Sequence, residues 1–307
     1  MNKAQNSCCE GGKESMKVWF ITGANVQGDL IAQALKIGQD ALRKYNVEAE
    51  HYRRFEIEYT VTSDGEPSLY ARGEKVSPPD KFVFYGSFDA AMEGIEETLV
   101  SMGSVSVNPI ESKRIAGNKL KTAHLMSREG IPQAKVLPVF HSTSVDIIEK
   151  ELGIPCVVKP AVGFGGAGVE LLKTREEVQA YLDALPEKMT NNVMIAQPYI
   201  ESSKGRDLRV LMVGKKPYAA GVRQAGDPKE FRSNIHQGGH YEDFELTDEV
   251  VSLCEKTAKA INLNVCGLDL LFGEDGFIVG EVNDSPGLET LVEKVGFEKF
   301  LKAMMSA

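Results

Sequence analysis

Residues 267–283 read GLDLLFGEDGFIVGEVN. Two apolar runs flank the turn-forming triplet Glu274-Asp275-Gly276, so the stretch is a β-hairpin. A three-residue loop places Asp269 directly opposite Glu281, with Cβ atoms about 5 Å apart. Asn283 shares their face, because strand side chains alternate. Opposed like charges destabilise a sheet unless a cation lies between them, and a lone acid in an apolar strand is costly. The face is either solvated or metal-bound. Its apolar flanks favour the metal, with Asp269, Glu281 and Asn283 as oxygen ligands and positions left open for substrate phosphates, a set suited to Mg²⁺ or Mn²⁺.

Upstream of that hairpin, DEVVSLCEKTAKAIN (248–262) is an amphipathic helix with Thr247 as its N-cap. Before it, RDLRVLMVG and KPYAAGVR form another hairpin around Gly214-Lys215-Lys216. A turn centred on Lys215 sets Asp207 opposite Arg223, with Arg209 on the same face. Arg232, Asn234 and His236 follow in FRSNIH. Three arginines in an acidic chain imply bound anions, the alternative being ordinary ion pairing. His236 reads as a hydrogen-bonding or packing residue.

Further upstream, CVVK brings Lys159 to the end of a core strand, where an ammonium needs an anionic partner. The loop at 163–168, GFGGAG, exposes backbone N–H groups able to cradle phosphate. Its spelling matches the dinucleotide fingerprint, but a strand, VELLK, follows where that fingerprint opens a helix. A flap between two strands is the better reading. REEVQAYLDAL is a helix, MIAQPYI a strand, and ESSKG a linker.

The first third is a smaller layer. KVWFIT (17–22) is a strand, 29–45 has helical spacing, 47–62 reads as extended and KFVFYG (81–86) as a strand. Asn108-Pro109 closes it, and one helix is expected from about Ile110 to Glu129, stopping at Gly130. Asn25, Val26, Gln27, Arg53 and Arg54 are candidates to face a cleft. The expected organisation is a disordered tail at 1–15 with no signal-peptide core, an α/β domain at 16–108, a lobe with the Gly-rich flap at 109–195, and a metal-bearing lobe at 196–307.

The 307 residues carry 35 Lys plus Arg against 44 Asp plus Glu, a net charge of −9. That balance argues against a nucleic-acid or anionic-membrane surface. No run approaches the ~20 apolar residues of a membrane span. The five cysteines lack metal spacing and read as thiols of a reducing cytoplasm. No P-loop or protein-kinase motif occurs.

Together these segments resemble the ATP-grasp superfamily and, within it, the RimK-type α-L-glutamate ligases. The resemblance covers about 110–293 and rests on GNKLKTAHLMSREGIPQAK, VVKPAVGFGGAGV, FRSNIHQGG, GLDLLF and GEVNDSPGLE. It implies an α/β fold with nucleotide held between two sheets. It also implies ATP with Mg²⁺ or Mn²⁺, two ions, as cofactors. Lys119 and Lys159 then resemble the two lysines on the nucleotide phosphates, beneath a flap that includes Gly165, Gly166 and Gly168. Gln197, Pro198, Tyr199 and Ile200 resemble the hinge strand at adenine. Asp207 resembles the acid near the ribose or nucleotide edge, with Arg209 in the same nucleotide site. Arg232, Ser233 and Asn234 fall where phosphate and substrate bind, and Arg223, Arg232 and Asn234 take the catalytic places. Asp269, Glu281 and Asn283 resemble the metal ligands. Pro198 departs from the Glu common at its position, keeping a C=O for the adenine amino group but no N–H.

The chemistry so implied converts a carboxylate to an acylphosphate and joins it to an amino acid, glutamate. The acceptor is a peptide, a protein C-terminus or a coenzyme, and the enzyme is a homo-oligomer. The competing readings are a peptide macrocyclase of the same fold, a nucleotide-binding regulator without turnover, and a nicotinamide dehydrogenase.

Overall fold

The computed structural model describes residues 15–23, 27–86, 89–163, 166–185, 193–227, 230–233, 239–286 and 296–306. The chain divides into two units, Met1–Ser106 and Val107–Ala307. The expected tail at 1–15 and the loop residues Asn25 and Val26 lie almost wholly outside the described residues.

In the first unit β1 (Met16–Thr22), β2 (Val47–Arg53), β6 (Lys81–Tyr85) and β7 (Val105–Ser106) form a parallel sheet in the order β2-β1-β6-β7. The helices are α1 (Gln27–Ile37), α2 (Gln39–Lys44) and α3 (Ala90–Ser101). Phe20, Ile21, Phe82 and Phe84 are fully buried, as the near-continuous apolar runs of a parallel sheet require. The extended stretch expected over 47–62 is broken at Arg54–Glu56 by a 3₁₀ turn, where the Glu56 carboxylate accepts the Arg53 N–H at 2.7 Å. Beyond it β3 (Ile57–Tyr59), β4 (Leu69–Ala71) and β5 (Glu74–Lys75) make a separate antiparallel sheet.

The second unit opens with two helices where one was expected, α4 (Ile110–Ala116) and α5 (Lys119–Arg128). Asn118 breaks them: its φ is −119° and its Oδ1 accepts the N–H groups of Leu120 (3.0 Å) and Lys121 (3.2 Å), capping α5. Lys119 thereby begins α5.

One antiparallel sheet follows, in the order β10-β9-β11-β8, from β8 (Leu137–Val139), β9 (Cys156–Pro160), β10 (Glu170–Leu172) and β11 (Met194–Pro198). Residues of α6 (Val145–Leu152) and α7 (Arg175–Ala184) share its core.

The other sheet runs β14-β13-β12-β15-β16. It is built from β12 (Arg206–Val213), β13 (Lys216–Gln224), β14 (His240–Asp243), β15 (Val265–Gly273) and β16 (Gly276–Asn283). Leu208, Val210, Met212, Cys266, Leu268, Leu270 and Val282 pack on one face with α4, α5 and α8 (Asp248–Ile261). α8 is capped by Thr247 as expected. α9 (Phe297–Ser306) completes the described chain.

Cys156, Cys254 and Cys266 are buried free thiols, and burial pushes Cys254 up to about 12, so it is no nucleophile near neutrality. Among the described residues no helix is long and apolar enough to cross a membrane.

Candidate active site

The polar face of the five-stranded sheet is assembled by register. Asp207 pairs with Arg223, Arg209 with both Gly221 and Asp269, Asp269 with Glu281, and Gly267 with Asn283. Alternation puts these residues on one side and the apolar core on the other.

The loops that set this register are shorter than the sequence suggested. Lys216 pairs with Val213 and Gly276 with Gly273, so each hairpin closes through two residues. Gly214 and Lys215 both have φ +60°, the mirror-image turn that suits right-twisted strands. Each hairpin then gains one residue at a bulge, Tyr218 in one and Gly280 in the other, and the extra residue restores the expected pairings. Gly280 is needed there, since a Cβ would lie 2.9 Å from Leu271 Cγ.

The arginines find carboxylates rather than open space. Arg209 grips Asp269 in a fork, Nε on Oδ1 and Nη2 on Oδ2 at 2.8 Å. Arg223 grips Asp207, Nε to Oδ1 at 2.7 Å, and its Nη2 also lies 2.9 Å from Asp269 Oδ2. The Ser233 hydroxyl donates to Asp207 Oδ2. Arg232 is forked on Glu230, Nε to Oε1 at 2.9 Å and Nη2 to Oε2 at 2.8 Å, and its Nη1 reaches the Gly166 carbonyl at 3.4 Å. In this structure all three arginines meet the protein's own acids, the ion pairing that the sequence left as the alternative. Burial pushes the Asp269 carboxyl up, but Arg209 and Arg223 outweigh it and hold it below the ordinary range. The fork from Arg232 draws Glu230 down to about 2.

The two lysines differ. Lys119 Nζ lies 3.2 Å from Glu281 Oε1 and donates to the Gly163 carbonyl at 2.9 Å. The ammonium of Lys159, on β9, makes no hydrogen bond or ion pair among the described residues. Burial lowers its pKa and Lys119 lowers it further, while Glu281 and Asp269 act in the opposite sense. A half-buried ammonium without a direct partner is a place for an anion.

At the hinge the Tyr199 N–H donates to the Pro155 carbonyl at 3.2 Å. Strand alternation then turns the main-chain groups of Pro198 and Ile200 away from β9. On that side β8 covers only Met194–Ala196, so the missing N–H of Pro198 breaks no ladder bond. Lys119, Lys159, Gln197, Gln133 and Glu281 line a cavity of about 20 Å³.

Asp269, Glu281 and Asn283 fit a hard divalent cation in donor chemistry: all three offer oxygen from adjacent positions of one face. Among the described residues no group of three or more His, Cys, Asp or Glu stands ready for a metal. The set thus depends on the amide of Asn283 and on Asp269 sharing its oxygens with arginines. Gly165, Asn234 and His236 lie outside the described residues. The sequence reading missed Glu230, whose spacing of two from Arg232 is its only signal. It also missed Lys113, Asn108 and the small residue at Gly267.

Lys159 on one antiparallel sheet and Glu281 on the other line one cavity with Lys119, and the class is the one the relatives show: this is an ATP-grasp C–N ligase. The RimK-like ATP-grasp domain family matches residues 116–305, and the chain belongs to that family. A "Probable alpha-L-glutamate ligase 1" of Shewanella frigidimarina is 36% identical over 245 residues, covering 76% of this chain and 77% of the relative. A "Probable alpha-L-glutamate ligase" of Pectobacterium carotovorum is 33% identical over 250 residues, covering 78% and 79%. In fold, the chain is similar to the ATP-grasp ligase PsnB, solved with a phosphomimetic variant of its minimal precursor, Mg and ADP. The TM-score is 0.69 at 17% identity, covering 95% of this chain and 99% of PsnB.

Proposed function

We propose that this ligase activates a carboxylate with ATP and joins it to an amino acid, glutamate, releasing ADP and phosphate. The observation that carries the reading is Lys159, a half-buried ammonium with no direct partner among the described residues, beside Lys119 and the acidic face of β15 and β16. The names of the relatives, at 33% and 36% identity, support glutamate as the amino acid.

ATP phosphates would take the place across Lys159 and Lys119, under the flap. Pro198 C=O and Ile200 N–H would meet the amino group and ring nitrogen of adenine. The cavity between Lys119, Lys159 and Glu281, about 20 Å³, holds roughly one water. Asp269, Glu281 and Asn283 would hold Mg²⁺ or Mn²⁺, which supplies charge neutralisation to the polyanion. An acceptor carboxylate oxygen attacks the γ-phosphorus, ADP leaves, and an acylphosphate forms. The amine then attacks the acyl carbon, and phosphate departs as the amide is made. Arg232 and Arg223 would stabilise negative charge in both steps. Arg232 borders an open trough of about 400 Å³ that also meets Asp227 and Phe231, where an acceptor would approach.

The test is ADP release from Mg-ATP with single amino acids, with and without peptide and small-acid acceptors, followed by product mass. ADP formation that needs both glutamate and an acceptor, with the product heavier by glutamate less one water, is expected. ADP formation with a peptide alone, and loss of water from it, would replace this reading by macrocyclisation.

A further inference from the structure

The chain that leaves β16 just past Asn283 is gripped from α4. Lys113 is wholly buried. Its Nζ donates to Ser285 Oγ at 2.8 Å and lies 3.2 Å from Asp284 Oδ2. Asn108, also buried, donates from Nδ2 to the carbonyls of Val265 (2.6 Å) and Asp284 (3.3 Å). Its Oδ1 accepts the N–H groups of Asn264 (2.9 Å) and Val265 (3.0 Å). The Ser285 N–H donates in turn to Asn283 Oδ1 at 3.1 Å. A continuous set of contacts thus runs from Lys113 through Asp284 and Ser285 to the amide oxygen of Asn283.

An apolar side chain at 113 would fill the same space without taking an ammonium out of water. What the lysine adds is a directional, charged grip on the two residues after Asn283. Ser285 N–H uses one lone pair of Asn283 Oδ1 and orients the amide, leaving the second for a ligand. Partners of this kind hold ligands in place at metal sites.

We propose that Lys113 is a positioning residue for Asn283: by fixing Asp284 and Ser285 it aims the Asn283 amide oxygen at the divalent cation of the ATP site. The inference rests on reading Asp269, Glu281 and Asn283 as metal ligands.

The test is Mn²⁺ affinity of the full chain, with a non-hydrolysable ATP analogue bound, followed by the electron paramagnetic resonance signal of free Mn²⁺. Lys113→Met should weaken Mn²⁺ by about 10–100-fold, with metal-free nucleotide affinity within twofold of the parent, and Lys113→Arg should recover much of the loss. Should Lys113→Met fail to fold, Asp284→Asn, which removes the charge that Lys113 grips, is expected to shift Mn²⁺ affinity in the same direction. A folded variant with a lowered Tm but Mn²⁺ affinity within twofold of the parent overturns the proposal. Glu281→Ala in the same titration separates the two ideas. If it too leaves Mn²⁺ affinity unchanged, the metal-ligand reading fails; if it alone weakens Mn²⁺, only the role of Lys113 fails.

Discussion

Arg223 and Asp269 lie on strands that are not neighbours, yet Nη2 of the one is 2.9 Å from Oδ2 of the other across β12. Arg209, on the strand between, forks the same carboxylate. Two arginines and two aspartates therefore cancel within the sheet. Glu281 answers Lys119, and Lys159 remains as the cation without a direct partner among the described residues. The surplus positive charge at this site belongs to Lys159.

Lys159→Met should stabilise the ligand-free protein by about 1 kcal/mol, raising Tm by about 2–4 °C, and weaken ATP by about 2 kcal/mol, roughly thirtyfold. The folded-state pKa of Lys159 lies below its unfolded value. The unfolded chain therefore binds more protons between the two values, and parental stability rises with pH through that alkaline window. Urea denaturation at pH 7 and pH 10 should show a Lys159-dependent gain in the parent that the variant lacks. A variant with lower Tm and unchanged ATP affinity would return Lys159 to a structural role.

A Cβ on residue 267 would stand 2.9 Å from Arg209 Nη1 and 3.3 Å from its Cδ. Gly267→Ala should push Arg209 off Asp269, cost about 1–3 kcal/mol in stability and lower kcat/KM by tenfold or more. Urea titration and steady-state kinetics check this together. Parental kcat/KM would show that the fork is dispensable.

The pair of Glu230 and Arg232 has a defined pH range. Glu230 is depressed to about 2, so the stabilisation is present above the ordinary carboxylate value of about 4.3 and is lost as pH falls from there towards 2. An NMR titration of the Glu230 carboxyl should move back towards about 4.3 in Arg232→Ala. The same variant should lose about 100-fold in kcat, the scale for removing one donor to developing negative charge. Unchanged kinetics would leave Arg232 as the partner of Glu230 alone.

In the proposed reading the hinge meets adenine through main-chain atoms, the Pro198 C=O and the Ile200 N–H. Pro198→Ala should therefore leave KM for ATP within threefold and keep ATP preferred over GTP, because guanine presents an acceptor and a donor where adenine presents the reverse. Competition between ATP and GTP checks this, and a variant that prefers GTP would show that the proline ring itself selects the base.

Much of the site is legible in order along the chain. Asp207 against Arg223 and Asp269 against Glu281 follow from the hairpins, and Lys159 stands out as a polar residue ending an apolar strand. The route to those pairs was not legible: the loops close through two residues, and bulges at Tyr218 and Gly280 supply the missing register step. The break at Asn118 was hidden because Asn also occurs inside helices, and only its side-chain cap reveals it. Lys113 gave no signal in the sequence, since its partner lies more than 170 positions away.

The sequence alone determined which side chains share a face, because alternation along a strand is a property of local covalent geometry. It also supplied the carboxylates, the lysines and the glycine loop that mark the family. The tertiary structure decided which charge each group meets. Arg209, Arg223 and Arg232 are occupied by Asp269, Asp207 and Glu230, while Lys159 is left beside the flap with no direct partner among the described residues. Those choices depend on strand order and on helices packed from distant parts of the chain, where burial makes the nearest opposite charge decisive.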